Sequence, residues 1–350
     1  MPLREPDFTR FRDAVLCRQP DCVPLVDLYH DIEIKDAFLG RPIAGLADDV
    51  RFWYEAGYDY YNLDLKITGG TERVNPTDAY RRRRRERDAV TMRTDAPEDA
   101  IATMADFDAY AWPAPGDANL GALDEVAGYL PEGMLAVARS SGIYENVIWR
   151  MGHTAFAYAM VDSPQLLRRM FARCGELAFN IYRAAAPLPH IGALWIADDL
   201  AYAEGLLFSP LLMRELLFPW YEELGALARR YDKPLILHSD GRLYEVLDYL
   251  IALGFNAIQP IEPKAMDARL LKEKYGGRLA LLSTIDLGGA LSRGTPEEVE
   301  AEVRVHIRDL APGGGFGVGA SNTVPWYVPL RNFNAMREAC ARFGRYPIRA

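Results

Sequence analysis

Short apolar runs and helical stripes alternate along almost the whole of this chain. The opening stretch, Phe8 to Arg18, has Phe8, Phe11, Val15 and Leu16 at helical spacing on one side. Apolar runs of strand length then recur: Val23–Leu28, Tyr58–Asp64, Met134–Arg139, Ala193–Ala197, Leu235–Leu237, Phe255–Gln259, Leu279–Ser283 and Phe316–Gly319. Most have helical stretches behind them. Those stretches are Leu46–Ala56, Leu120–Tyr129, Tyr144–Met151, Pro164–Ala185, Pro210–Arg230, Tyr244–Ala252, Met266–Tyr275, Pro296–Leu310 and Leu330–Phe343. Gly57 and Gly254 stand where helices should stop. Pro164 suits a first helical turn, whereas Pro219 predicts a kink or break inside its helix.

Repeated β–α alternation implies an α/β protein with a parallel sheet. Eight such units close most simply into a single-domain, distorted (β/α)8 TIM barrel spanning residues 1–350. An N-terminal hairpin excursion interrupts it, with Asp88–Arg93 as the return strand, and Ala111–Asp117 reads as a loop. The alternative is an open doubly wound sheet. No G-x-G-x-x-G and no G-x-x-x-x-G-K-[ST] follows a strand, which weakens a nucleotide-binding reading.

Composition narrows the partners. Half of the residues are hydrophobic, a quarter are charged, and the formal net charge is −9. General attraction to nucleic acid or anionic lipid is therefore not expected. The exception is Arg81–Arg85, five arginines in a row. It reads as a docking patch, as a solvated hairpin, or as arginines that grip a carboxylate across the mouth of the fold. No apolar run reaches the ~18 residues of a membrane span. No charged start with an apolar core marks a signal peptide, so a cytoplasmic protein is expected. Cys17, Cys22, Cys174 and Cys340 form no C-x-x-C pair and suit a reducing compartment.

The chemistry gathers at the strand ends, where a barrel keeps its active site. Leu235-Ile236-Leu237 is followed at once by His238-Ser239-Asp240-Gly241. An extended backbone sends His238 and Asp240 the same way. The other strands end at Asp27, Asp64, Arg139, Asp198 or Asp199, Glu262, Asp286 and Asn322. Two like charges about 5 Å apart repel by roughly 3 kcal/mol at an effective dielectric near 20. Acids meeting at one mouth thus call for a cation, or for a carboxyl that stays protonated and serves as a general acid. His238, with Asp240, Glu262 or Asp199, offers nitrogen and oxygen ligands of a kind zinc accepts. The plainer alternative is that Ser239 or Asp240 caps a helix and His238 is a hydrogen-bonded core histidine.

From residue 190 to 340 the chain resembles the uroporphyrinogen decarboxylase superfamily. The resemblance rests on Leu237-His238-Ser239-Asp240-Gly241, Leu253-Gly254-Phe255-Asn256-Ala257-Ile258-Gln259-Pro260 and Leu271-Lys272-Glu273-Lys274-Tyr275-Gly276. It continues through Thr284-Ile285-Asp286, Gly294-Thr295-Pro296-Glu297-Glu298-Val299 and Ala311-Pro312-Gly313-Gly314-Gly315-Phe316, with weaker echoes at Pro20–Pro24 and Gly142–Glu145. It implies a distorted (β/α)8 barrel, a small-molecule substrate and a homodimer. It also implies one of two reactions, porphyrinogen decarboxylation or methyl transfer through a corrinoid with zinc.

Two departures bear on that choice. Decarboxylases of this kind carry an R-Q-A-G-R segment after the first strand, where this chain has the acidic Asp27-Leu28-Tyr29-His30-Asp31-Ile32-Glu33. Uroporphyrinogen is rich in carboxylates, and an acidic mouth repels it. The methyltransferases often carry His-x-Cys-Gly, where this chain has Asp240 in place of the cysteine.

The expectation is a corrinoid-linked methyltransferase acting on a methoxylated or methylated small molecule (O-demethylase type), with zinc on His238, Asp240 and Glu262 and a corrinoid on a partner protein. Asp64, Asp199, His238 and Asp240 are the expected catalytic groups. Asp27, Arg139, Tyr144 and Asn322 are the expected substrate-binding groups. The alternatives are a cofactor-independent decarboxylase, with Asp64 stabilising positive charge, and a non-catalytic barrel that binds a corrinoid protein or small ligand.

Overall fold

The computed structural model describes residues 4–67, 100–114 and 118–349. Its strands are β1 Tyr60–Asp64, β2 Leu135–Ser141, β3 Ile191–Ala197, β4 Ala201–Tyr202, β5 Gly205–Leu206, β6 Leu235–His238, β7 Ala257–Gln259, β8 Ala280–Leu282 and β9 Phe316–Gly317. Seven of them form one parallel sheet in the order β1-β2-β3-β6-β7-β8-β9. Strands β4 and β5 make a separate antiparallel ribbon. Every residue of β3, β6, β7 and β8 is buried, as befits parallel strands covered on both faces. One continuous apolar core runs from Phe8 to Cys340.

The eight-stranded ladder expected from the sequence is not complete. Val23–Leu28 is not a regular strand. It is tied to the sheet by the parallel bridge of Leu25 with Val318 and by hydrogen bonds of Val26 N to Val318 O and Val318 N to Pro24 O. On its other side, side chains of β1 stand in for a backbone ladder. The Tyr60 hydroxyl accepts from Asp27 N and donates to Asp27 O, and Asn62 Nδ2 donates to Leu28 O.

Several helices keep the limits their sequence predicts: Leu46–Ala56, Pro164–Ala185, Pro296–Leu310 and Leu330–Phe343. Thr295 and Glu298 form a reciprocal capping box before the third of these. Pro219 breaks its helix as anticipated. A five-residue π turn, Met213–Leu217, precedes the regular helix Phe218–Arg230, because proline has no N–H to give back to the preceding turn. The helix after β2 runs from Ile143 to Asp162, well beyond Met151, and bends at Gly152. Helices Ile32–Leu39 and Met104–Ala109 and the β4–β5 ribbon carry no strong periodic signal and were not anticipated. The arginine run Arg81–Arg85 and the return strand Asp88–Arg93 lie outside the described residues. No described helix is long and apolar enough to cross a membrane.

Sheet register sets the levels of the strand ends. Asp64 is level with Arg139, Ala197 with His238, and His238 with Gln259. The residues just past β3 and β6 therefore sit side by side at the carboxyl edge of the sheet.

Candidate functional site

Strand β6 carries an imidazole to the carboxyl edge. His238 is 7 % exposed, and its Nδ1 lies 2.6 Å from Gln259 Oε1 on the neighbouring strand. Gln259 Nε2 donates to the carbonyl of Asn322 at 2.9 Å, so its oxygen is the atom turned to the histidine. Nδ1 is then a donor, and Nε2 is the nitrogen turned to the cluster. Nε2 is 3.6 Å from Asp199 Oδ1 and 3.8 Å from Asp240 Oδ1.

Each carboxylate is held in its own way. Asp199 Oδ1 accepts from the backbone N–H of Asp240 at 2.9 Å. Asp240 accepts from Asn322 Nδ2 through both oxygens, at 2.8 and 2.7 Å. Burial pushes the Asp240 carboxyl up to about 6, with Asp199 and Glu262 adding to the rise while His238 and Asn322 oppose it. One donor atom each from Asp199, His238 and Asp240 lie within 4.8 Å of one another. A third or so of each carboxylate side chain is exposed, so the cluster is open on one side.

The adjacent aspartates divide their labour. A strand end turns successive side chains opposite ways. Asp199 turns to the histidine. Asp198 is fully buried, and its carboxylate accepts from the backbone N–H groups of Ile143, Tyr144 and Glu145 at 2.9, 3.1 and 2.9 Å and from the Tyr221 hydroxyl at 2.7 Å. It thereby caps the helix that follows β2 with an anion, where the helix dipole favours one. The fit is close: a Cβ on Gly142 would lie 2.0 Å from the Asp198 carboxyl carbon.

The other expected site residues are distributed unevenly. Asp64 and Arg139 pair at 2.8 Å, and Lys66 stands 3.3 Å from the same carboxylate. Glu262 is not in the three-residue metal cluster; its Oε2 accepts from Gly241 N at 2.8 Å. Of the ligands the sequence offered beside His238, the cluster brings in Asp240 and Asp199 and not Glu262. Asn322 acts on Asp240 directly. Tyr144 is 3 % exposed and packs its ring against Phe208 and Phe156. Asp27 is wholly enclosed, with one oxygen accepting from Tyr58 OH and the other from Ala320 N. Neither of its oxygens reaches solvent, which departs from a substrate-binding position at the mouth.

Two members of the site were missed in the sequence. Gln259 ends a predicted strand, and its level with His238 was the signal available; an uncharged side chain drew no notice. Glu145 lies in the first turn of the helix after β2. Burial and the charges of Asp199, Asp198 and Asp240 push its carboxyl up to about 9, against the opposing pull of Arg139.

The model of the family described as Uroporphyrinogen decarboxylase (URO-D) matches residues 140–343. The chain belongs to this family. Glu145, Asp199, His238, Asp240, Gln259, Glu262 and Asn322 all fall within the span that matches the uroporphyrinogen decarboxylase family, whereas Asp27 and Asp64 precede it. Among solved structures, a methyltransferase from Methanosarcina mazei superposes with a TM-score of 0.68 at 18 % identity, over 96 % of this chain and 98 % of its own. A class V chitininase from Pseudomonas fluorescens Pf-5 gives a TM-score of 0.43 at 10 % identity, over 90 % of this chain and 99 % of its own. At such identities the methyltransferase likeness speaks to the fold alone. No curated protein matches the sequence significantly.

Proposed function

We propose that this member of the uroporphyrinogen decarboxylase family is a metal-assisted methyltransferase. It takes a methyl group from a methoxylated or methylated small molecule and delivers it to a corrinoid carried by a partner protein. The observation that supports this reading best is His238 Nε2 facing the carboxylates of Asp199 and Asp240.

The donor set fits a divalent cation of the zinc type. It has one neutral imidazole nitrogen and two carboxylates, a combination that zinc accepts. Gln259 holds the imidazole in the required tautomer, the outer support that metal-binding histidines generally have. Asn322 orients Asp240, and the Asp240 amide orients Asp199. A bound cation there supplies Lewis acidity to the heteroatom that gives up the methyl group. The protein's own part is to keep Nε2 unprotonated, to hold the two carboxylates, and to draw in a ligand that relieves their mutual repulsion.

The M. mazei protein is named a methyltransferase, in agreement with this reading. The decarboxylase alternative has Arg139, with the Arg81–Arg85 run, hold substrate carboxylates. The Arg139 guanidinium is paired with Asp64, and the acids beside His238 disfavour a polyanion.

Zinc content and methyl transfer test the proposal together. We expect about one zinc per chain, lost in His238→Ala, and transfer from methoxylated aromatics to reduced cobalamin only by the loaded protein. Undiminished transfer by metal-free protein would remove the Lewis-acid role. Conversion of uroporphyrinogen would replace the proposal with the decarboxylase.

A further inference from the structure

We propose that Asp27 is a positioning residue of the site. Through the Ala320 amide it fixes the backbone that carries Asn322, and so the placing of Asp240 and of Gln259. Its effect on a bound cation rests on the reading above, whereas its effect on Asn322 rests on hydrogen bonds alone. The role differs from the substrate contact expected of Asp27 at the mouth.

The segment Val23–Leu28 and the chain around β9 pair by backbone only as far as Val26. Val318 N donates to Pro24 O at 3.0 Å, and Val26 N donates to Val318 O at 2.7 Å. A parallel ladder carried one rung further would put Ala320 N on Val26 O. That oxygen already accepts from the Ser283 hydroxyl at 2.5 Å. Ala320 N turns instead to Asp27 Oδ1, at 2.8 Å. The side chain thus supplies the rung that the backbone lacks. Asp27 and Ala320 are fully buried, so without this oxygen the Ala320 N–H has no acceptor where solvent could replace it. The approach is close: a Cβ on Gly319 would lie 1.7 Å from the Val26 carbonyl oxygen and 2.9 Å from Asp27 Oδ1. Asp27 is itself held, since Tyr58 OH donates to Oδ2 at 2.5 Å and the same hydroxyl lies 2.8 Å from His30 Nε2.

The anchored segment leads straight into the site. Ser321 N donates to Ile285 O at 2.7 Å, on the β8 side. Further on, Val324 N donates to Tyr29 O and Asp31 N to Val324 O, both at 2.9 Å. Asn322 lies midway between the clasps at Ala320 and Val324. Its Nδ2 donates to both oxygens of Asp240, and its carbonyl accepts from Gln259, the residue that meets His238. Asp240 and Gln259 therefore take their positions from one residue, and Asp27 holds the backbone on which that residue stands. A shift of that backbone moves a candidate ligand and the partner of the imidazole together.

The test is a double-mutant cycle on zinc affinity, with Asp27→Asn and Asn322→Ala made singly and together and read against a chelating dye. Asp27→Asn exchanges one of the two acceptor oxygens for a donor at nearly the same size. We expect it to weaken zinc binding about tenfold while Asn322 is present and less than about twofold once Asn322 is Ala, because groups that act through one another do not add. In the metal-free protein it should also shift the Asn322 side-chain amide resonances, assigned with Asn322→Ala. A residue that only stabilises the core would weaken binding equally in both backgrounds. Equal losses, no loss in either background, or an unmoved Asn322 amide overturns the positioning role. Where Asp27→Asn does not fold, Tyr58→Phe, which frees the other oxygen of Asp27, takes its place in the same cycle under the same criteria. A wild type that binds no zinc overturns the metal reading, and the Asn322 amide alone then decides on Asp27.

Discussion

The Nδ1 atom of His238 lies 2.6 Å from Oε1 of Gln259, and this contact decides which nitrogen of the imidazole is available. Gln259 cannot turn over without losing its bond to the Asn322 carbonyl. An uncharged residue on one strand thus selects the tautomer of a histidine on the next.

Replacing that lock should weaken metal binding. Gln259→Leu is expected to lower zinc affinity by about 10- to 100-fold, the usual cost of losing such a partner. A competition titration against a chelating dye reads it. Unchanged affinity would mean that the tautomer is set elsewhere.

Asn322 should tune the pH range of the site. Its Nδ2 donates to both oxygens of Asp240 and so favours the ionised form. Without it, as in Asn322→Ala, the Asp240 carboxyl should rise above about 6. Zinc affinity in wild type is expected to fall as pH drops below about 6, where Asp240 takes up a proton. In Asn322→Ala the fall should begin at higher pH. Superimposable affinity–pH curves would sink this assignment.

Asp198 should matter to the fold more than to the chemistry. Asp198→Ala leaves three backbone N–H groups and the Tyr221 hydroxyl without their acceptor in a buried place. A loss of about 3 kcal/mol or more is expected from urea unfolding. Gly142→Ala should destabilise as well, since its Cβ would come within 2.0 Å of the same carboxylate. A neutral effect of both would contradict the packing described.

Glu145 should make stability fall with rising pH. Its folded value, about 9, lies above its ordinary 4.5, so the folded chain binds the proton more tightly than the unfolded chain. Its favourable contribution is whole below the unfolded value and is lost as pH rises towards 9. Glu145→Gln removes that loss. The stability of the variant relative to wild type should therefore grow between pH 5 and 9, by up to about 1 kcal/mol per pH unit. Denaturant melts at several pH values measure it, and a pH-independent difference would exclude a retained proton.

Much of this was legible along the chain. The run Leu235–Leu237 ending in His238 is a buried strand with a histidine at its tip. Apolar spacing and a proline at the start marked Pro164–Ala185 and Pro296–Leu310 to the residue. Asp199, His238 and Asp240 were read as strand-end groups, and the fold brings them together. Less was legible where the signal lay in a partner. Val23–Leu28 has a strand's composition, yet its far side is held by Tyr60 and Asn62 rather than by a ladder. Asp27 looked like a mouth residue and is enclosed instead, because Tyr58 and Ala320 provide donors for it within the core.

The periodicity of apolar residues, which acts over a turn or a pleat, settled where most strands and helices form and which ends carry polar groups. The family was legible in a resemblance of motifs between residues 190 and 340. Which of two adjacent aspartates faces the imidazole was left to tertiary structure, as were the choice of Asp199 over Glu262 and the raised carboxyl of Glu145. Those outcomes depend on donors far away in sequence: Asp198 meets Glu145 across 53 residues and Asp240 meets Asn322 across 82. A carboxylate's charge, and so its chemistry, follows from the donors that reach it, and only the folded chain places them.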